Sequence, residues 1–192
     1  MNVAVFASGT GSNFQAFMET KGLHHHIVLL VCDNRHAPVL PKALFHNVPT
    51  FVFEPTNYTT KEAYEREIVK QLMAFDVEWI FLAGYMRLIG PTILRVYEGR
   101  IVNIHPSLLP QFKGRGAIKQ ALDAHVNVTG VTIHYVDEGI DTGPIIAQER
   151  VYIRPDDTFA SLKRRIQMVE HKLYPRVVYE LLNDSFVKGD FL

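Results

Sequence analysis

The sequence predicts an α/β protein: a mostly parallel twisted sheet flanked by helices, with an antiparallel part toward the C-terminus. Three observations carry this. Apolar runs at 3–7, 27–31 and 79–83, and a fourth at 101–104 broken only by Asn103, alternate with helical patterns. Unbroken runs suit strands covered on both faces, because a strand with one wet face would alternate apolar and polar residues. Residues 131–152 then read as two strands joined by a wide acidic loop, an antiparallel hairpin. Last, Phe159, Leu162, Ile166, Val169, Leu173 and Val177 recur at helical spacing. The pattern changes near residue 100, so one domain over 1–192 is expected, with an N-terminal lobe of about 1–100 and a C-terminal lobe of about 101–192.

A chain of 192 residues can bury a sizeable core. Its 20 Lys and Arg balance 20 Asp and Glu. A nucleic-acid binder that works by neutralising phosphates needs a positive excess, so nucleic acid is not an expected partner. A single small anion is compatible with zero net charge. Cys32 is the lone cysteine, which excludes an intrachain disulfide and fits a reducing compartment. It lies in an apolar run and reads as a buried, inert thiol. No apolar run approaches the ~20 residues that span a bilayer. The N-terminus opens on a strand pattern rather than a signal peptide. A cytoplasmic protein with no membrane partner is expected.

In chain order, the strand from Val3 to Ala7 runs into Ser8-Gly9-Thr10-Gly11-Ser12-Asn13, and Phe14, Phe17 and Met18 follow at helical spacing. Strand, glycine-rich turn and helix form a phosphate-binding layout. Glycine lets the backbone approach closely, and the amides of Gly11, Ser12 and Asn13 lie at a helix N-terminus. The turn lacks the third glycine of a dinucleotide fingerprint and the Gly-Lys-Ser/Thr of a P-loop. One phosphate is therefore the expected ligand; a plain turn capped by Ser12 or Asn13 is the structural alternative. His24, His25 and His26 read as a solvated loop, since three consecutive side chains cannot converge on one metal from one side. Pro38 to His46 reads as a short helix starting near Pro41, and Thr50 to Phe53 as a short third strand. Lys61 to Phe75 carries a stripe of Tyr64, Ile68, Leu72 and Phe75 behind a Thr59 or Thr60 cap.

The strand from Trp79 to Ala83 ends in a turn, Gly84 to Pro91. Met86, Leu88 and Ile89 beside Arg87 at a strand's carboxyl end suit the wall of a flat apolar pocket; ordinary core is the alternative. Ile101, Val102 and Ile104 form the next strand, which Pro106 ends. Residues two apart on a strand share a face, so Asn103 and His105 are presented together at its carboxyl end, where open α/β sheets bind ligands. The loop from Gln111 to Gly116 reads as mobile, and Ala117 to His125 as helical. Val131 to Val136 alternates, with Thr132 and His134 on a wetter face. Asp137 to Pro144 is an acidic turn before the returning strand, Ile145 to Tyr152. Asp156, Asp157 or Thr158 can cap the last helix, on which Gln167, Glu170 and Tyr174 form a polar stripe and Pro175 is expected to introduce a kink.

Asn103, His105 and Asp141 carry the chemistry. An amide donates a neutral hydrogen bond, and an imidazole can donate a proton near neutrality. Together they suit a developing oxyanion. The hairpin turn can bring Asp141 over the strand end, where a carboxylate favours the imidazolium. No serine or cysteine is placed as a nucleophile, Ser107 being directed away by Pro106. No Cys, His and Asp cluster has metal-ligand spacing. Oxyanion stabilisation with proton transfer, without covalent or metal catalysis, is the expected chemistry.

The string Asn103-Ile104-His105-Pro106-Ser107-Leu108-Leu109-Pro110 resembles the signature of folate-dependent formyltransferases. Ser8 to Asn13, Leu82-Ala83-Gly84-Tyr85-Met86-Arg87, Asp137 to Pro144 and Gln167-Met168-Val169-Glu170-His171 match one branch in order, over nearly the whole chain. The resemblance implies a Rossmann-like formyltransferase fold with a sheet of about seven strands. It implies formyl transfer from 10-formyltetrahydrofolate, as co-substrate, to the amine of glycinamide ribonucleotide, without a metal. The phosphate would sit on Gly11, Ser12 and Asn13, and the glycinamide portion on Glu170 with Gln167. The folate would use Lys61, Met86, Arg87, Leu88, Ile89 and Asn103, with Val136, Asp137 and Ile140 enclosing the pteridine. Asn103 and protonated His105 would hold the tetrahedral oxyanion, and Asp141 would raise the basicity of His105. The partners would be small molecules only, and the chain a monomer or homodimer.

At Gly116 the sequence departs from the family, which more often carries Asp, Asn or His there. The alternatives are another formyltransferase, a formyltetrahydrofolate hydrolase and a non-catalytic phosphate- or folate-binding module. In the family the transferase acting on methionyl-tRNA adds a basic C-terminal domain, and the hydrolase an N-terminal regulatory one. A binding module has no need of Asn103, His105 and Asp141 together.

Overall fold

The computed structural model describes residues 1–189; residues 190–192 of the expected domain lie outside the described residues. The strands are β1 (Asn2–Ala7), β2 (Ile27–Cys32), β3 (Thr50–Val52), β4 (Val77–Leu82), β5 (Ile101–His105), β6 (Val128–Tyr135) and β7 (Ile145–Tyr152). They form one seven-stranded sheet in the order β3-β2-β1-β4-β5-β6-β7. Strands β1 to β5 pair in parallel, and β6 and β7 are antiparallel. The α-helices are α1 (Ser12–Glu19), α2 (Val39–Phe45), α3 (Lys61–Ala74), α4 (Pro91–Leu94), α5 (Ala117–Asp123) and α6 (Phe159–Gly189). The sheet passes through the change of pattern near residue 100 by the pairing of β4 with β5. Among the described residues no helix is long and apolar enough to cross a membrane.

Successive residues of a strand face opposite ways, so the central strands feed two cores. Val3, Val5, Ala7 and Phe81 pack with Phe14, Phe17, Leu162, Ile166 and Tyr174 on one face. Ala4, Phe6, Ile80 and Leu82 pack with Tyr64, Ile68, Leu72 and Ile93 on the other. This double burial is why the strands read as unbroken apolar runs. The strand order reverses between β1 and β4, and ligands bind outside the carboxyl ends of strands at such a switch point. Tyr174 ties α6 to this region: it is fully buried, with its hydroxyl 3.0 Å from the carbonyl oxygens of Leu82 and Val102.

Several local expectations change in the tertiary context. Helix α2 begins at Val39, ahead of Pro41; first-turn amides have no intrahelical partner, so proline is tolerated there. Tyr174 belongs to the core rather than to a polar stripe. Thr132 and His134 do not lie on a wetter face, being 0% and 2% exposed. The segment after β5 covers them: Thr132 Oγ1 donates to the Ser107 carbonyl at 2.7 Å and accepts from the Leu109 amide at 3.0 Å. The Ser107 hydroxyl donates to the Gln111 carbonyl at 2.6 Å, which leaves it no nucleophilic role. Thr60 caps α3 through the Ala63 amide and Thr158 caps α6 through the Ser161 amide. Cys32 is buried, and burial pushes its thiol up, as for an inert core cysteine.

Candidate active site

A cleft of about 940 Å³ is lined by residues 9–13, 82–89, 103–106, 114–117 and 136–141, with Lys61, Tyr64, His134, Gln167 and Glu170. These segments follow the carboxyl ends of β1, β4 and β5, and a stretch of the β6–β7 loop closes over them. The residues nominated from sequence for phosphate, folate, glycinamide and catalysis all border this one cavity. Among the described residues no group of three or more His, Cys, Asp or Glu is arranged to hold a metal ion.

At one end of the cleft, Gly11 has φ 68° and is the N-cap of α1, which has no side-chain cap. Ser12 and Asn13 lie inside the helix instead, so their side chains do not compete for its first amides. A Cβ on Gly11 would stand 2.3 Å from Val39 Cγ2, so glycine is required by both conformation and contact. Asn13 Nδ2 donates to Glu170 Oε2 at 3.2 Å, and Asn13 Oδ1 is buried without a partner among the described residues. Burial pushes the Glu170 carboxyl up, while Asn13 and Lys163 pull it down less strongly. An uncapped helix N-terminus beside an acceptor pair can hold an anion next to a group rich in donors.

The 84–90 turn forms another wall. Met86 and Leu88 are 59% and 57% exposed, whereas Ile89 is largely buried beneath them and still borders the cleft. The Met86 amide donates to Ser8 Oγ at 2.9 Å, and Arg87 Nε donates to Asp33 Oδ2 at 2.6 Å. An apolar surface held open in this way suits a flat hydrophobic ligand.

The catalytic candidates meet at the end of β5. His105 Nε2 donates to the Phe112 carbonyl at 2.8 Å, and Nδ1 lies 3.3 Å from Asp141 Oδ2. The Gly114 amide donates to the same Asp141 oxygen at 2.8 Å. The loop expected to be mobile is thus tied to both residues. Burial is the largest influence on His105 and holds it below its usual range, although the Phe112 carbonyl and Asp141 pull it upward. Burial thus opposes the imidazolium that Asp141 alone would favour. Burial raises the Asp141 carboxyl, but the His134 hydrogen bond, the Gly114 amide and His105 outweigh it and bring it to about 2. Asp141 also holds a left-handed backbone, at φ 52°, which aspartate tolerates better than bulkier residues.

The family model described as formyl transferase matches residues 1–178. The chain belongs to this family. It is 51% identical over 182 residues to the phosphoribosylglycinamide formyltransferase of Bacillus subtilis, covering 93% of each chain. A crystal structure of phosphoribosylglycinamide formyltransferase from Bacillus halodurans superposes with a TM-score of 0.93 at 51% identity, covering 96% of this chain and 97% of that one. A glycinamide ribonucleotide transformylase structure from Geobacillus kaustophilus gives a TM-score of 0.90 at 55% identity, covering 94% and 98%. The seven-stranded Rossmann-like sheet with antiparallel C-terminal strands is the formyltransferase fold.

The sequence reading missed His134. It is directly opposite Asn103 in the β5–β6 register. Its Nδ1 donates to the Tyr135 carbonyl at 2.8 Å. Its Nε2 lies 3.3 Å from Asn103 Nδ2. The same Nε2 lies 3.5 Å from Asp141 Oδ1, so His134 bridges two of the formyl transferase candidates. The signal available in sequence was its alternation on β6, which read as solvent polarity. Arg115 was also missed as a cleft residue; its Nη2 donates to the Met86 carbonyl at 3.3 Å. Gly116 has φ 74° and is the N-cap of α5, a backbone that glycine takes without strain.

Proposed function

We propose that this chain transfers the formyl group of 10-formyltetrahydrofolate to the amine of N1-(5-phospho-D-ribosyl)glycinamide, in cytoplasmic purine (IMP) biosynthesis. The observation that carries the reading is the sharing of one cleft by an uncapped glycine turn, an exposed apolar wall and the Asn103, His105, Asp141 cluster. The phosphate takes the amides of Gly11, Ser12 and Asn13, and Glu170 with Gln167 receives the glycinamide end. The folate lies on Met86, Arg87, Leu88 and Ile89, with Lys61 near its tail and Val136, Asp137 and Ile140 around the pteridine. Residues 1–100 thus supply the phosphate turn and one folate wall, and the remainder supplies the catalytic cluster, the second wall and Glu170.

The amine attacks the formyl carbon, and the carbonyl oxygen becomes an oxyanion that accepts from Asn103 Nδ2. His134 holds that amide in place. Burial keeps His105 neutral at the outset, so it takes the proton that the attacking amine must lose. Because the Phe112 carbonyl occupies Nε2, the proton reaches Nδ1 by way of a water held against Asp141. Asp141 stabilises the imidazolium so formed, and the proton passes to the folate nitrogen as its bond to carbon breaks. Holding both substrates in one cleft supplies the remaining acceleration.

Mixing the protein with both substrates and following tetrahydrofolate release by absorbance tests the reading. Turnover is expected with glycinamide ribonucleotide. Release with a nucleotide-sugar amine but not with glycinamide ribonucleotide would move the assignment to another formyltransferase.

A further inference from the structure

Glu65 is a carboxylate placed where one is costly. It is 2% exposed on α3, does not line the cleft, and burial pushes its carboxyl up. An apolar side chain there would avoid that penalty. The Gly90 amide donates to Oε1 at 2.7 Å. Lys61 Nζ, one turn earlier on the same helix, lies 3.7 Å from that oxygen. A Cβ on Gly90 would stand 2.6 and 2.7 Å from the two carboxylate oxygens, so the carboxylate and the turn fit because residue 90 is glycine. Gly90 is also the N-cap of α4, which has no side-chain cap of its own. It closes the turn that carries Met86, Leu88 and Ile89, whose other end is held by Ser8. Glu65 thus grips the far end of the exposed apolar wall together with a cation that borders the cleft.

We infer that Glu65 is a positioning residue for the folate co-substrate, tying the 84–90 turn to α3 and steering Lys61 without touching either substrate. The inference rests on the formyl-transfer reading and deepens its folate subsite. Steady-state kinetics of Glu65→Ala and Glu65→Gln, with each substrate varied in turn, test it. Glu65→Ala should raise the KM for 10-formyltetrahydrofolate about tenfold or more. The KM for glycinamide ribonucleotide and kcat should stay within about twofold. Glu65→Gln keeps an acceptor for Gly90 but no charge for Lys61, and should fall between. Hydrogen exchange of the 84–90 amides reads the tether without substrate: faster in Glu65→Ala, near wild type in Glu65→Gln. Equal KM shifts for both substrates that track a lower melting temperature would mark a merely structural group and overturn the inference. Unchanged exchange at Gly90 in Glu65→Ala would overturn it as well. Normal wild-type turnover with an unshifted folate KM in the variants removes this inference alone, whereas no wild-type turnover removes the proposed reaction and the inference with it.

Discussion

His105 stands between opposed forces. Burial disfavours its charged form, while the Phe112 carbonyl and the Asp141 carboxylate favour it, and burial prevails. A proton acceptor that starts neutral and gains its counter-ion only when charged is suited to pass a proton between two nitrogens. His105→Ala and Asp141→Asn should each lower kcat by roughly 10²–10⁴ with circular dichroism and melting unchanged in form; wild-type turnover by Asp141→Asn would contradict its role. The same shifts set a pH dependence of stability. A group depressed by folding stabilises the protein above its unfolded value, and that contribution is lost as pH falls through the folded value. For His105 the loss begins below its ordinary 6.5. For Asp141 it falls between 3.8 and about 2, and amounts to about 2 kcal/mol. Urea midpoints of wild type and Asp141→Asn should therefore converge across that acid window; a constant gap would refute the depression.

At the scale of elements, α6 does more than cover the sheet. Its Tyr174 reaches the carbonyls of Leu82, the last residue of β4, and of Val102 within β5, two of the strands that feed the cleft. Tyr174→Phe should cost about 1–2 kcal/mol in urea unfolding, because a buried donor is removed and its acceptors lose a partner. A cost near zero would mean that the carbonyls are already satisfied within the sheet. The strands and the helices α3 and α6 were legible because two-sided burial and helical spacing both leave periodic traces. Helix α4 was not: four residues carry no period, and the amide of its N-cap Gly90 is held by Glu65, distant in sequence. Thr132 and His134 were misread for a related reason. Their polarity is satisfied by the segment after β5 and by Asn103, contacts that alternation alone cannot distinguish from water.

For the molecule as a whole, one sheet runs from β3 to β7, and the cleft draws residues from both sides of position 100. Thermal unfolding should therefore be a single transition, and either substrate should raise it as a unit. Glycinamide ribonucleotide at 100 times its Kd should stabilise the fold by roughly 2.7 kcal/mol. Separate melting of the two halves, or stabilisation of one half alone, would contradict a shared site.

The sequence by itself determined the α/β class and singled out the glycine turn after β1, the apolar 84–90 turn, and Asn103, His105 and Asp141 as candidates. Each leaves a local mark: a run, a spacing, a glycine cluster or a strand-end pair. Only the tertiary structure decided how these groups act on one another. It placed His134 behind Asn103, seated Glu65 under Gly90 and turned the Phe112 carbonyl onto His105. It also moved His105 below its ordinary range, since desolvation depends on what is packed around a ring and not on its neighbours along the chain.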